Sequence, residues 1–233
     1  MKKIGILIFV AALVIGLVVS NMFSFGRTSG KIFNFSMDFG GVKGSGNTTA
    51  EDRNVNGFHG IDVGGVYQVE ITAQKEYSVR IEADDNLLPL IKTEVDDSIL
   101  KIESEKRISP KSKIRIIIGA PNIDDLDISG VANVTLNDIK NDKLNIDSSG
   151  ASKIKITGET AKLTVDVSGA TKIDAENLTT ANANIEASGA SNVTVNVSGE
   201  LRADASGASR IIYTGSPTNV IKDTSGASKV SPK

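Results

Sequence analysis

The residues with chemical potential in this chain are carboxylates and hydroxyls that recur at a fixed interval. Asp127, Asp147, Asp166, Glu186, Asp204 and Asp223 each stand two residues before the serine of a Ser-Gly pair. The six glycines, Gly130, Gly150, Gly169, Gly189, Gly207 and Gly226, are spaced by 20, 19, 20, 18 and 19 residues. Four residues after each serine stand Asn133, Lys153, Lys172, Asn192, Arg210 and Lys229. A hydrolase or lyase site needs acid, base and cation ligands that converge and break such a pattern. One carboxylate per interval, in register, does not converge.

Stacked at strand spacing, equivalent carboxylates lie about 4.8 Å apart, and neighbours repel by roughly 1 kcal/mol in high dielectric. The reading adopted here is that the Lys/Arg column across the glycine offsets this in solvated pairs. Divalent cations along the ladder are the alternative. Calcium asks for six to eight oxygens, of which the Asp and Ser columns supply only some, and the G-G-x-G-x-D calcium repeat is absent. The recurring hydroxyls read as corner residues that satisfy local backbone. Binding of ice or crystalline polysaccharide would need a flat Thr-x-Thr face, which does not recur. His59 is the one histidine. A Ser-His-Asp triad would have to use it, yet no nucleophile motif is near, so it reads as a surface or turn residue. A His-based metal site is excluded by count. No residue is therefore assigned as catalytic, cofactor-binding or metal-ligating, no cofactor is expected, and the ligand-binding residues stay open.

A period near 20 with strand-like flanks is the mark of a solenoid, each repeat one coil stacked on the last. In Leu144-Asn-Ile-Asp-Ser-Ser149 alternation turns Leu144 and Ile146 inward and Asp147 and Ser149 outward. The glycine then makes a corner, and Lys153-Ile-Lys-Ile-Thr157 returns its aliphatics to the core. Ile61–Val69 reads as a diverged repeat with Asp62 two before Gly64. Val66–Thr72, Tyr77–Glu82, Ile99–Glu103, Lys113–Ile118 and Ile123–Ile128 read as strands. Asp84–Ile91, with acidic residues at its start and Pro89 within, reads as a short helix. Lys106–Lys113 is a basic loop.

The 233 residues carry a formal charge of −2, no cysteine, no tryptophan and 4% aromatics. Nucleic acid is not favoured as a partner, disulfides and thiolate sites are excluded, and the usual stacking platforms for sugar rings are scarce. Met1-Lys-Lys and the apolar run Ile4–Val19 read as a signal-anchor, or as a cleaved signal ending near Ser20; counted to Phe25 the run reaches spanning length. The lysines would stay cytoplasmic and the remainder would be exported. Residues 26–53 read as a flexible linker interrupted by a strand at 31–39, where Phe33, Phe35, Met37 and Phe39 alternate. That strand reads as a cap on the open solenoid end or as a docking segment. The N-x-[ST] sites at Asn47, Asn133, Asn177, Asn192 and Asn196 are ordinary for so Asn/Thr-rich a chain.

Gly57-Phe-His-Gly-Ile-Asp-Val-Gly-Gly-Val-Tyr-Gln-Val69, Val79-Arg-Ile-Glu-Ala-Asp-Asp-Asn-Leu-Leu88 and the S-G-A-S repeats together resemble the bacterial head-GIN domain, a domain of unknown function labelled a putative auto-transporter adhesin. The resemblance covers roughly residues 53–229. It implies a right-handed β-helix on an exported protein, and it brings no catalytic residues. Family members with a lipoprotein cysteine would be anchored through it; here the anchor would have to be Ile4–Val19.

The expected molecule is therefore all-β: a right-handed parallel β-helix of 19–20-residue coils over 54–233, regular from about Leu126, preceded by an N-terminal hydrophobic helix (1–25) and the linker (26–53). Its expected role is that of a non-enzymatic, membrane-tethered envelope protein with the β-helix outside the cytoplasm. The membrane is the partner of residues 4–25, and adhesin-like binding follows from the resemblance. An assembly or sensor module that pairs through the uncapped edge near Ser225–Val230, with another copy or an envelope partner, is the second reading. A polysaccharide-active enzyme is the third.

Overall fold

A computed structural model describes residues 41–233. The membrane segment expected over 4–25 and the strand expected at 31–39 lie outside the described residues. Among the described residues no helix is long and apolar enough to cross a membrane. Among the described residues sixteen strands follow one another. Those of the N-terminal half are β1 (Val42–Lys43), β2 (Thr48–Arg53), β3 (Gly60–Thr72), β4 (Ser78–Asp84), β5 (Ile91–Asp96), β6 (Ile99–Ser104), β7 (Ile108–Ser109) and β8 (Arg115–Gly119). Those of the repeats are β9 (Asp125–Gly150), β10 (Lys153–Gly169), β11 (Lys172–Ala187), β12 (Asn192–Val197), β13 (Glu200–Ala205), β14 (Arg210–Gly215), β15 (Asn219–Thr224) and β16 (Lys229–Pro232).

From β9 onward each repeat pairs in parallel with its equivalents in the next. Ile154 lies beside Val134 and Ile173, Ile173 beside Val193, Val193 beside Ile211, and Ile211 beside Val230. All six are buried. A second column runs Leu144, Leu163, Ala183, Leu201 and Val220. The pairing offset equals the sequence period, so equivalent aliphatics stack on one another; each buried Val, Ile or Leu contributes about 1.5–3 kcal/mol of apolar burial. The irregular spacing is absorbed in β11, where Glu176, Asn177 and Leu178 intervene between Ala175, paired with Val195, and Thr179, paired with Asn196. Leu178 is nevertheless fully buried.

The corners depend on glycine. Gly150 has φ +132°, and a Cβ there would lie 2.2 Å from the Gly130 carbonyl oxygen. The close approach lets the Ala151 N–H donate to that oxygen at 2.9 Å; Ala170, Ala190, Ala208 and Ala227 repeat the bond at 2.7–2.8 Å. The diverged repeat in β3 fits the same scheme with one correction. Asp62 pairs with Asp127 and Gly65 with Gly130, so Gly65 is the corner glycine and Gly64 takes the serine's place.

The N-terminal half departs from the regular stack. β3 pairs in parallel with β6 through its first half and with β8 through its second. Antiparallel strands then close that end: β5 on β6, β4 on β8, and β2 on β4. The linker expected over 26–53 therefore ends earlier. Thr48–Arg53 is a full strand on β4, and Val42–Lys43 pairs with Ile108–Ser109, so the folded body takes in residues 42–53 and the basic loop contains a short strand. Thr-Thr-Ala-Glu-Asp-Arg is an edge strand with four exposed residues, which is why it has no apolar alternation to read. The helix expected over Asp84–Ile91 is a single 3-10 turn, Leu88–Leu90, with Leu87 at its N-cap and no side-chain cap. Asp84 caps no helix. It ends β4, fully buried, and its Oδ2 accepts the N–H groups of Lys111 at 2.8 Å and Ser112 at 3.4 Å.

Candidate functional site

The outward faces of the repeats carry the polar chemistry. The acidic residues form one continuous column: Asp62 beside Asp127, Asp147 beside Asp166, then Glu186, Asp204 and Asp223. Burial first, then Asp62, Asp147 and Asp125, push the Asp127 carboxyl above its usual range. Burial and then Asp166 and Asp125 do the same at Asp147. At Asp125, which stands on the same side of β9, burial and the neighbouring Asp124 also act upward.

Four basic residues and two asparagines form a second column, Asn133, Lys153, Lys172, Asn192, Arg210 and Lys229 in register. The two columns do not pair, contrary to the expectation of solvated Lys/Arg–Asp bridges across the corner. Among the described residues Asp204 is the one member of the acidic column in an ion pair, and its partner is Arg202 of the same strand, at 3.4 Å. The corner explains this. The acid stands three residues before the glycine and the base three after it, so the two project from differently oriented stretches of backbone. An acidic column and a column of cations interrupted by Asn133 and Asn192 result, and they do not neutralise one another across the corner. No group of three or more His, Asp or Glu side chains among the described residues is placed to hold a metal ion.

The hydroxyl column two residues after each corner glycine from Gly150 onward turns inward. Ser152, Thr171, Ser191 and Ser209 are buried. The Ser191 hydroxyl donates to the Ser188 carbonyl at 3.0 Å, and Ser228 repeats the bond to Ser225 at 2.8 Å. Ser191 and Ser228 thus close the corner's own backbone, the role the residue pattern suggests, whereas the Ser152 hydroxyl is buried without a partner among the described residues.

His59 has a partner that sequence spacing does not reveal. Its Nδ1 lies 2.7 Å from Asp124 Oδ1, and Lys143 Nζ lies 3.6 Å from Asp124 Oδ2. The His59 N–H donates to the Ser98 carbonyl at 3.0 Å, and the Asp124 N–H to the His59 carbonyl at 3.0 Å. The pairing clips the start of β3 to the start of β9. The side chain is half exposed, and no hydroxyl among the described residues is hydrogen-bonded to it, so two members of a triad meet without a nucleophile.

One stretch of outward face is concave. Lys162 and Thr164 of β10, Asn182 and Asn184 of β11, and Glu200 and Arg202 of β13 line a groove of about 740 Å³. The Glu200 N–H donates to Asn182 Oδ1 at 3.0 Å, while Asn184 Oδ1 is buried without a partner. The arrangement offers cations, carboxylates and amides along three adjacent strands. It suits recognition of a polar, extended surface.

The family model described as "Putative auto-transporter adhesin, head GIN domain" matches residues 57–217. The chain belongs to this family. The head GIN match starts just before β3 and ends after β14, so it contains the whole acidic column except Asp223. No curated protein matches the chain. Among solved structures, a "putative adhesin" from Bacteroides fragilis NCTC 9343 is 22% identical with a TM-score of 0.68, covering 82% of this chain and 100% of its own. "Putative adhesin" structures from Parabacteroides distasonis ATCC 8503 and Parabacteroides merdae ATCC 43184 are 18% and 15% identical, each with a TM-score of 0.47, and cover 82% of this chain and 99% and 98% of their own. At 22% identity the first likeness speaks to the fold alone.

Proposed function

We propose that this head GIN protein is a non-enzymatic, adhesin-like module of the cell envelope, exported and tethered by the apolar run Ile4–Val19. We further propose that its repeats wind as a right-handed β-helix. The observation that carries the functional reading is the outward chemistry: charges and amides spread over the face at one-repeat intervals, six of the seven acidic-column members outside any ion pair among the described residues, with the concave stretch from Lys162 to Arg202 on the same outward side. Such a surface recognises a partner by many shallow polar contacts and does not concentrate acid, base and nucleophile on one bond. The name of the family, and that of the similar Bacteroides fragilis structure, support the adhesin reading by analogy. Parallel in-register pairing supports the solenoid, and the strong preference for right-handed crossovers supports its hand.

The test uses vesicles that carry the full chain. They should adhere to purified envelope or host-surface polysaccharides and matrix proteins, and Lys162→Glu with Arg202→Glu should weaken adhesion. Adhesion that is absent for every surface, or unchanged in the double variant, removes the groove from this reading. N-terminal sequencing of the native protein accompanies it: Met1 retained in the membrane fraction supports the tether, and a soluble chain starting near Asn21 overturns it.

A specific observation favours one second reading. Among the described residues β15 pairs only with β13 and β16 only with β14, and Ile221 of β15 is 45% exposed. These open edges suit pairing with another copy or an envelope partner. Light scattering on the full chain across a concentration series separates the readings, since a strict monomer throughout would sink self-assembly.

A further inference from the structure

The repeat's monotony breaks at the corner of β3. Every later glycine corner stacks on the one before it: Gly130 on Gly65, Gly150 on Gly130, and so on to Gly226 on Gly207. On the other side of Gly65 the equivalent strands are β6 and β8, and both pair with β3. The tight corner that would join them is missing. In its place the chain makes the excursion from Glu105 to Ile114, and a cavity of about 530 Å³ opens against Gly64–Tyr67. Since a cavity of about 150 Å³ accepts a benzene-sized group, this one has room for a chain on the order of ten to twenty carbons.

The lining is of two kinds. Val66, Tyr67, Ile108, Pro110 and Ile114 supply apolar surface. Lys106 and Arg107 supply charge; both are exposed, and neither is within an ion pair among the described residues. Glu103 also lines the cavity, so two cations face one carboxylate and the balance is positive. Tyr67 is 3% exposed, and its hydroxyl is buried without a hydrogen-bond partner. Burial, then the Glu103 carboxylate, push this phenol up to about 12. It therefore stays a donor throughout the physiological range, and a buried donor with nothing to donate to costs stability.

We infer that this cavity binds a single-chain amphipathic carboxylate, a fatty-acid-like ligand, with its chain against Val66, Ile108 and Ile114, its carboxylate at Lys106 and Arg107, and the Tyr67 hydroxyl donating to a ligand oxygen. The apolar surface takes the chain out of water. The unpaired cations match its charge. The hydroxyl gains the acceptor that the protein does not provide. The site shares no lining residue with the Lys162–Arg202 groove, so it stands or falls independently of that reading.

The experiment is equilibrium dialysis of radiolabelled dodecanoate against the full chain in a nonionic detergent held at constant concentration. Uptake should saturate at one per chain. Lys106→Glu with Arg107→Glu, both at exposed positions, should weaken it by about tenfold or more. Tyr67→Phe should weaken it about fivefold while leaving the ligand-free melting temperature equal or higher, because it removes only an unsatisfied hydroxyl. Loss of a merely structural tyrosine would instead lower the melting temperature. The inference is overturned if the charge-reversed variant takes up dodecanoate as the wild type does, if acetate competes as well as dodecanoate, or if dodecanol binds as tightly.

Discussion

At the corner glycines one added carbon decides whether a repeat can stack. Gly150→Ala would place a Cβ 2.2 Å from a backbone oxygen that cannot move without unstacking its own repeat. The substitution should cost about 3 kcal/mol or more, read as a fall in the denaturant midpoint. Gly57 has φ +77° with nothing within 4 Å of its Cβ position, so Gly57→Ala should cost only about 1 kcal/mol. The acidic column makes a prediction of opposite sign. Where folding raises a carboxyl's pKa, the folded state holds more protons than the unfolded one in the window from the ordinary value upward, and stability there falls as pH rises. Asp127 and Asp147, raised from 3.8, should thus make the protein more stable as pH drops from neutral into that window. Replacing both by Asn should stabilise the protein at pH 7 by up to about 1 kcal/mol and flatten the rise in a pH series of melts. Asp84 acts the other way. Burial alone would raise its carboxyl, but the N–H groups of Lys111, Ser112 and Gly46 and the Ser112 hydroxyl outweigh that and hold it low. Its contribution is complete above its ordinary value and is lost as pH falls through the lowered one, so the stability curve should turn over in acid.

At the scale of elements, the strands that carry the stack are those whose inward columns are continuous, and the strands that end it are those that change direction. β2, β4 and β5 replace parallel pairing with antiparallel pairing and leave no regular coil exposed at the N-terminal end. A chain shortened to begin at Asn54 loses β2 and the β1–β7 pair. It should unfold at a lower temperature than one beginning at Gly41, and the amides of Ser78–Asp84 should exchange faster; equal melting would mean that β2 is only draped on the sheet. At the other end β15 has one half-buried and five exposed residues, so its amides should exchange first among the repeats.

The folded body described over residues 41–233 is held together by apolar columns and carries a column of stacked acids on its outside. The acidic and basic columns do not neutralise one another across the corners, so the acidic column is strained by its own repulsion over distances shorter than the screening length of about 8–10 Å at ordinary ionic strength. Added sodium chloride should therefore raise the melting temperature, whereas a protein held by cross-corner salt bridges would lose stability. Much of this architecture was legible in the sequence by itself: the period, the inward aliphatics, the outward acids and bases and the glycine corners. The reason is that in a parallel stack the pairing offset equals the repeat length, so neighbours in space are equivalents in sequence. Strand alternation then assigns each column to a side without knowledge of the fold. Tertiary structure alone decided what happens where that equality fails. Thr48–Arg53 has no apolar alternation because it lies on an edge, so only its pairing with β4 makes it a strand. Asp84 looks like a helix cap because its sequence is local, yet its partners, Lys111 and Ser112, come from a distant loop. His59 and Asp124 meet because β3 and β9 are neighbours, and the cavity beside Tyr67 exists because one corner of the stack is missing, an absence that no local pattern records.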